Sequence, residues 1–188
     1  MGGVSEAAVN SPDEPETTST DVLAFLDLVG EAGASVWLDG GWGVDALLGT
    51  QSRRHGDLDI VVELRWADAL VGQLQEMGYV ETRGEDARAW NFVLGHAGGA
   101  VVDFHVIVLD EAGNGIYGPA VNGETYPAAS LRGVGTVRGR RVHCISPEWM
   151  VAFHTGYPLD DKDWADVSAL CERFRLPIPP DYRRWQAR

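Results

Sequence analysis

Asp57 and Asp59 stand one residue apart in GDLDIVVE, where Leu58, Ile60 and Val62 alternate with them. In a β-strand, residues i and i+2 share a face, ~6.6 Å apart along the chain. Both carboxylates then project from one side while the apolar side chains enter a core. Carboxylates so placed repel each other unless a cation lies between them. Magnesium is held this way, through one or two carboxylates together with substrate phosphates. A bare D-x-D also fits a strand with a solvated acidic face, so the motif needs support from elsewhere in the chain.

Support comes from two places. Gly40-Gly41 lies shortly upstream, and glycines there let backbone N–H groups approach phosphate oxygens. Asp103 lies on a later apolar run, AVVDFHVIVL, from which a third carboxylate can converge on the same cation. Between the glycines and the D-x-D run sits a basic loop with Arg53, Arg54 and His55. An arginine there offers a bidentate grip on phosphate, although a solvated loop arginine needs no such role. His105 shares a strand face with Asp103 and either orients it or ligates a metal, the latter disfavoured because magnesium prefers oxygen.

The same glycines also match a dinucleotide fingerprint, G-x-G-x-x-A, from Gly41 to Ala46. That motif requires a helix long enough to cross between parallel strands, a dozen residues or more. Gly49 leaves room for about six, and the fingerprint gives Arg53, Arg54, Asp57 and Asp59 nothing to do. Glu63 at ribose-binding distance is its one supporting feature. The Walker-type phosphate loop is excluded outright, because Lys162 is the chain's single lysine and follows no glycine loop.

The elements that must position these groups follow from periodicity. Val22, Phe25, Leu26 and Val29 predict a helix over 21–31. Residues 35–38 predict a strand, 40–43 a turn, and 44–48 a short helix. Residues 57–63 predict the carboxylate strand, and 65–77 a helix with Trp66, Leu70, Val71, Leu74 and Met77 on its core face. Strands follow over 80–82, 90–94 and 101–109, with Gly98-Gly99 as a hairpin turn. Asn122-Gly123 and Arg138-Gly139 mark two further hairpins. Ser146-Pro147-Glu148 opens a helix, with serine as cap and proline at the first position. Residues 161–174 form a last helix, with Trp164, Val167, Leu170, Cys171 and Phe174 facing inward, ended by Pro177, Pro179 and Pro180.

Composition bounds the function. The 188 residues suit one domain, and 45% hydrophobic content supports an ordinary core. The net charge of −13 repels a phosphate backbone and attracts a cationic small molecule, so nucleic acid is not expected as the main partner. Cys144 and Cys171 suggest neither a disulfide framework nor a zinc site, which fits the reducing cytoplasm. No run reaches the ~18 apolar residues of a membrane span. The first 20 residues lack signal-peptide features and read as a disordered tail.

A double-glycine turn, a D-x-D strand and a third acid on a neighbouring strand resemble the nucleotidyltransferase superfamily. GGWGVDALLGTQSRRHGDLDIVV is similar to the antibiotic nucleotidyltransferases that adenylylate aminoglycosides and lincosamides. The likeness extends to VDFHV and to SPEWMVAFHTGYPLDDKDWADVSALCERF, covering most of the chain from Ser35 to Phe174. It implies an α/β (α+β) nucleotidyltransferase fold: a small mixed sheet flanked by helices, with hairpins and helices at the C-terminal end. The expected division is a tail over 1–20, a nucleotidyltransferase core over 21–112, and an extension over 113–188 packing on the acceptor side.

The resemblance implies transfer of a nucleoside monophosphate, with AMP expected, from an NTP to a hydroxyl of a small cationic acceptor, releasing pyrophosphate. Two magnesium ions and ATP are the expected cofactor and co-substrate. Asp57, Asp59 and Asp103 are the expected catalytic and metal-binding residues, Asp103 being either a ligand or the proton acceptor. Gly40, Gly41, Arg53, Arg54 and Lys162 are the expected nucleotide contacts. Lys162 also stands four residues before Asp166 and fits a surface ion pair there. Trp42 is expected to pack the short helix on the sheet. For the acceptor the sequence offers Trp90, Tyr117, Tyr126 and Trp149, with Glu85 and Asp86 for an ammonium group. A protein or tRNA acceptor, or a non-catalytic nucleotide-binding role, remains compatible, as does either a monomer or a homodimer.

Overall fold

The computed structural model describes residues 16–82, 88–119 and 123–186. The tail ahead of residue 16, Glu85, Asp86 and Asn122 lie outside them. Among the described residues nine strands form one mixed sheet: β1 (Val36–Leu38), β2 (Leu58–Glu63), β3 (Tyr79–Thr82), β4 (Asn91–His96), β5 (Val101–Leu109), β6 (Gly115–Tyr117), β7 (Glu124–Tyr126), β8 (Gly133–Val137) and β9 (Arg140–Cys144). Their order is β3-β4-β5-β2-β1-β9-β8, with the β6–β7 hairpin paired to the end of β5. β2 runs parallel to β5 and β1 parallel to β9, and every other pairing is antiparallel. Among the described residues six α-helices flank the sheet: α1 (Ser19–Glu31), α2 (Gly40–Leu48), α3 (Leu64–Glu76), α4 (Pro147–Phe153), α5 (Asp161–Phe174) and α6 (Arg183–Gln186). Among the described residues no helix is long and apolar enough to cross a membrane.

Periodicity located nearly every element, and the differences have local causes. α1 starts two residues earlier than the apolar pattern, because Thr18 and Asp21 close a reciprocal capping box that the hydrophobic stripe does not show. Met77 falls beyond the end of α3 and is 48% exposed, so it leaves the core face predicted for it. Asp57 precedes β2 rather than opening it. Ser146 occupies the cap position of α4, but its side chain makes no capping hydrogen bond.

The largest revision concerns residues 40–43, which are the first turn of α2 and not a separate turn. Asp39 is the cap, its Oδ1 accepting the Gly40 N–H at 2.9 Å. Glycine is a poor helix former; here tight packing requires it. A Cβ on Gly43 would stand 2.8 Å from the Leu38 carbonyl oxygen and collide with Met150. A Cβ on Gly135 of β8 would overlap the Ala46 carbonyl, so α2 lies directly on the sheet backbone. Trp42, 2% exposed, packs α2 inward as expected; its indole N–H donates to the Thr17 carbonyl at 3.3 Å.

The core is continuous from Val22 to Trp185. Leu58, Ile60 and Val62 on β2, and Val102, Phe104 and Val106 on β5, are almost fully buried on one face of the central pair. Their alternation leaves the opposite face for polar groups. The contact of α2 with β8 gives a direct test. Gly135→Ala should lower stability by about 1–3 kcal/mol, or roughly 2–12 °C in Tm, because the backbone of a packed helix must move. Scanning calorimetry checks it, and an unchanged Tm refutes the close packing.

Candidate active site

β2 and β5 bring the acids together. Their parallel register sets Asp59 directly beside Asp103 and Val61 beside His105. Asp59, Asp103 and His105 each offer a ligand atom within 4.8 Å of the others. His105 Nε2 lies 3.7 Å from Asp103 Oδ1, too far for a hydrogen bond, and that oxygen is buried with no hydrogen-bond partner. Asp57 stands outside this trio on the exposed side, near enough to interact electrostatically with Asp59, Asp103, His55 and Arg53.

Crowded carboxylates in a half-buried place shift one another's titration. Burial, then Asp57, Asp39 and Asp103, push Asp59 up to about 7, against the pull of His105. Burial and Asp103 also raise Asp57, against His55 and Arg53. Burial pulls His105 down, but Asp103, Asp39 and Asp59 outweigh it and hold the imidazole at about 9. A buried oxygen without a partner, beside a second carboxylate whose ionised form is disfavoured, fits a divalent cation.

Asp39, which the sequence did not single out, frames this cluster together with Tyr126. Asp39 caps α2 with Oδ1, while Oδ2 accepts a hydrogen bond from the Tyr126 hydroxyl at 3.3 Å. The Tyr126 oxygen in turn lies 3.0 Å from His105 Nδ1. A chain therefore runs from Asp39 through Tyr126 to His105. An aspartate just before a helix start was the available signal for Asp39. Gly40 turns into α2 at φ +51, and a Cβ there would overlap the Asp59 carboxylate. That glycine thus lets the helix start against the acid cluster.

The basic loop over residues 50–56 folds across the start of α2. Asp45 of α2, 2% exposed, accepts from Ser52 N at 2.9 Å and Oγ at 2.6 Å, and its other oxygen meets His55 Nε2 at 2.5 Å. His55 lies against Trp42, with ring centroids 4.8 Å apart. A Cβ on Gly41 would collide with His55 and stand 2.8 Å from Arg53 Nη2. Arg53 pairs with Asp166, and Arg54 pairs with Glu16. The alternative pairing of Lys162 with Asp166 is absent among the described residues, because Arg53 takes that carboxylate. Lys162 is exposed near Asp160 at the head of α5.

Beside the acids lies an open cavity of about 610 Å³, walled by Asp39, Asp59, His105, Tyr117, Tyr126, Phe153 and Tyr157, with Glu124 at its side. Tyr117 and Tyr126 meet edge to face at 5.9 Å. Trp149 instead packs on Phe153, and Trp90 packs against Gly118; neither lines the cavity.

A mixed sheet with acids on one face of a parallel pair, beside a helix entered through glycines, is the architecture of a nucleotidyltransferase. The chain belongs to the aminoglycoside-2''-adenylyltransferase family, whose model matches residues 21–170. It is 30% identical over 154 residues to a lincosamide resistance protein of Staphylococcus haemolyticus, covering 81% of this chain and 94% of that one. Among solved structures it is similar to the lincomycin-bound lincosamide antibiotic adenylyltransferase LnuA. That match has a TM-score of 0.73 and 28% identity over 82% of this chain and 97% of the other. ANT(2'')-Ia in complex with adenylyl-2''-tobramycin matches with a TM-score of 0.66 and 21% identity, over 83% and 88% of the chains.

The raised Asp59 predicts a pH-dependent strain. A carboxyl group whose folded pKa exceeds its unfolded value, ~3.9, destabilises the fold when ionised. The penalty is absent below the unfolded pKa, grows as pH rises, and is complete above about 7. Asp59→Asn should therefore raise the Tm of metal-free protein by several degrees at pH 8 and leave it unchanged near pH 3.5. Calorimetry in chelator checks this; a lower Tm for the variant at pH 8 contradicts it.

Proposed function

We propose that the enzyme transfers a nucleoside monophosphate, AMP by expectation, from an NTP to a hydroxyl of a small cationic antibiotic, and that a lincosamide is the better acceptor. The observation that carries this reading is the meeting of Asp59, Asp103 and His105 beside a 610 Å³ cavity that Asp59 and His105 line. Such a volume suits a small molecule. The aromatic walls of Tyr117, Tyr126, Phe153 and Tyr157 favour an amphipathic acceptor over a fully hydrated polycation. The similarity to proteins named for lincosamides supports the same choice. These four residues and Glu124 lie in 113–188, so that segment is assigned the acceptor side. Its need for NTP suits a cytoplasmic enzyme.

In the proposed reaction, the acceptor oxygen bonds to the α-phosphorus while the bridging oxygen to the β-phosphorus leaves with pyrophosphate. Asp57, Asp59 and Asp103 form the ligand set. Two magnesium ions, when bound, would neutralise charge on the attacking and leaving oxygens. If it does not ligate the metal, Asp103, whose Oδ1 has no hydrogen-bond partner, would take the proton of the acceptor hydroxyl. The start of α2 at Gly40 and Gly41 faces its positive end toward the phosphates. Arg53 grips them from the loop, with Arg54 and Lys162 as outer contacts.

Purified protein with magnesium and each NTP in turn should release pyrophosphate only when an acceptor is added, faster with a lincosamide than an aminoglycoside. Asp57→Asn, Asp59→Asn and Asp103→Asn should each lower the rate by about 10²-fold or more, with circular dichroism unchanged. Full activity of all three variants, or no turnover with any acceptor, refutes the reading.

A further inference from the structure

Arg53 is held in an unusual way for a loop arginine. Asp166, on α5 and 3% exposed, receives it in two parallel hydrogen bonds, Nε to Oδ1 at 3.3 Å and Nη2 to Oδ2 at 2.8 Å. Nη1 donates to the Arg54 carbonyl at 3.2 Å. A guanidinium has five N–H donors, so this arrangement leaves one on Nη1 and one on Nη2. The side chain stays 31% exposed. Nη2 also lies against the first turn of α2, 2.8 Å from where a Cβ on Gly41 would stand. Asp57 and Asp45 interact with the same charge.

A buried ion pair is weak evidence for stability, since the desolvation of both charges offsets their attraction. This pair has a geometric consequence instead. A free loop arginine samples many rotamers and must give them up on binding. A fork already fixed by a buried carboxylate has given them up beforehand. Asp166 also cancels the charge of Arg53, so any contribution to phosphate binding comes from the direction of the remaining N–H groups.

We propose that Asp166 is a positioning residue for the nucleotide: it locks the Arg53 guanidinium over the start of α2 so that its two remaining N–H groups meet the triphosphate. The proposal rests on the nucleotidyl-transfer reading above, in which the phosphates lie at that helix start. Asp166 reaches no phosphate itself and acts through Arg53 alone. Loss of Asp166 therefore weakens nucleotide binding and leaves acceptor binding and the chemical step nearly untouched.

The test is a double-mutant cycle with Arg53→Ala, Asp166→Ala and the double variant, each checked for folding by its melting curve. ATP affinity is measured with magnesium and no acceptor, and steady-state kinetics give KM for ATP and for the acceptor separately. Asp166→Ala and Arg53→Ala should each raise the Kd for ATP about tenfold. The double variant should bind no more weakly than Arg53→Ala, and in Asp166→Ala the acceptor KM and kcat should change less than twofold. Should Asp166→Ala fail to fold, Asp166→Asn keeps the volume but removes one acceptor oxygen, and it should raise the Kd for ATP likewise. Wild-type ATP affinity in either Asp166 variant, while Arg53→Ala binds weakly, overturns the positioning role and leaves the site reading standing. Unchanged affinity in Arg53→Ala overturns both this inference and the phosphate role of Arg53. Absence of NTP binding to the wild type overturns the nucleotidyl-transfer reading itself.

Discussion

The structure depends on one unfavourable juxtaposition: Asp59 and Asp103 side by side on parallel strands, near a third carboxylate. Burial first, and then the nearby carboxylates Asp57, Asp39 and Asp103, make Asp59 hard to ionise. The rear face of the same strand pair supplies the compensation. Leu58, Ile60, Val62, Val102, Phe104 and Val106 are nearly completely buried there. Each such side chain contributes about 1.5–3 kcal/mol by leaving water. The apolar half of the alternation thus holds in place an acidic half that would separate on its own. His105, held at about 9, is the internal counter-charge.

The glycines serve the same site by absence of side chain. At Gly40 and Gly41 the start of α2 approaches Asp59, His55 and Arg53 more closely than any Cβ permits, and at Gly43 and Gly135 the helix lies directly on backbone. The result is a short helix whose positive end adjoins the carboxylates, a favourable placement for anions and cations together. Buried acids then secure the loop that covers it, Asp45 through Ser52 and His55, and Asp166 through Arg53. Residues of four separate stretches therefore set the geometry of one corner.

Much of this was legible in the chain. Strand periodicity put Asp59 on the polar face of β2, though not Asp57, which precedes the strand, and the alternation in 101–109 did the same for Asp103 and His105. Both signals are local, because a strand repeats every two residues whatever its partners. The helix starts were less legible. Gly40 to Gly43 have the composition of a turn, and only packing against Leu38, Met150 and β8 makes them helical. Met77 was placed in the core by a pattern that continues one residue past the helix.

By itself the sequence determined the chemistry available: three acids on or beside two strands, glycines ahead of them, a basic loop between, and an acidic surface. Tertiary structure decided which groups meet. The β2–β5 register chose Asp59, not Asp57, as the neighbour of Asp103, and added His105 to the cluster. The docking of α5 gave Asp166 to Arg53 rather than to Lys162. The β6–β7 hairpin brought Tyr126 to Asp39. Strand and helix periods are short-range properties of the backbone. Pairings across 44 to 113 residues depend on how whole faces pack, and no local pattern records them.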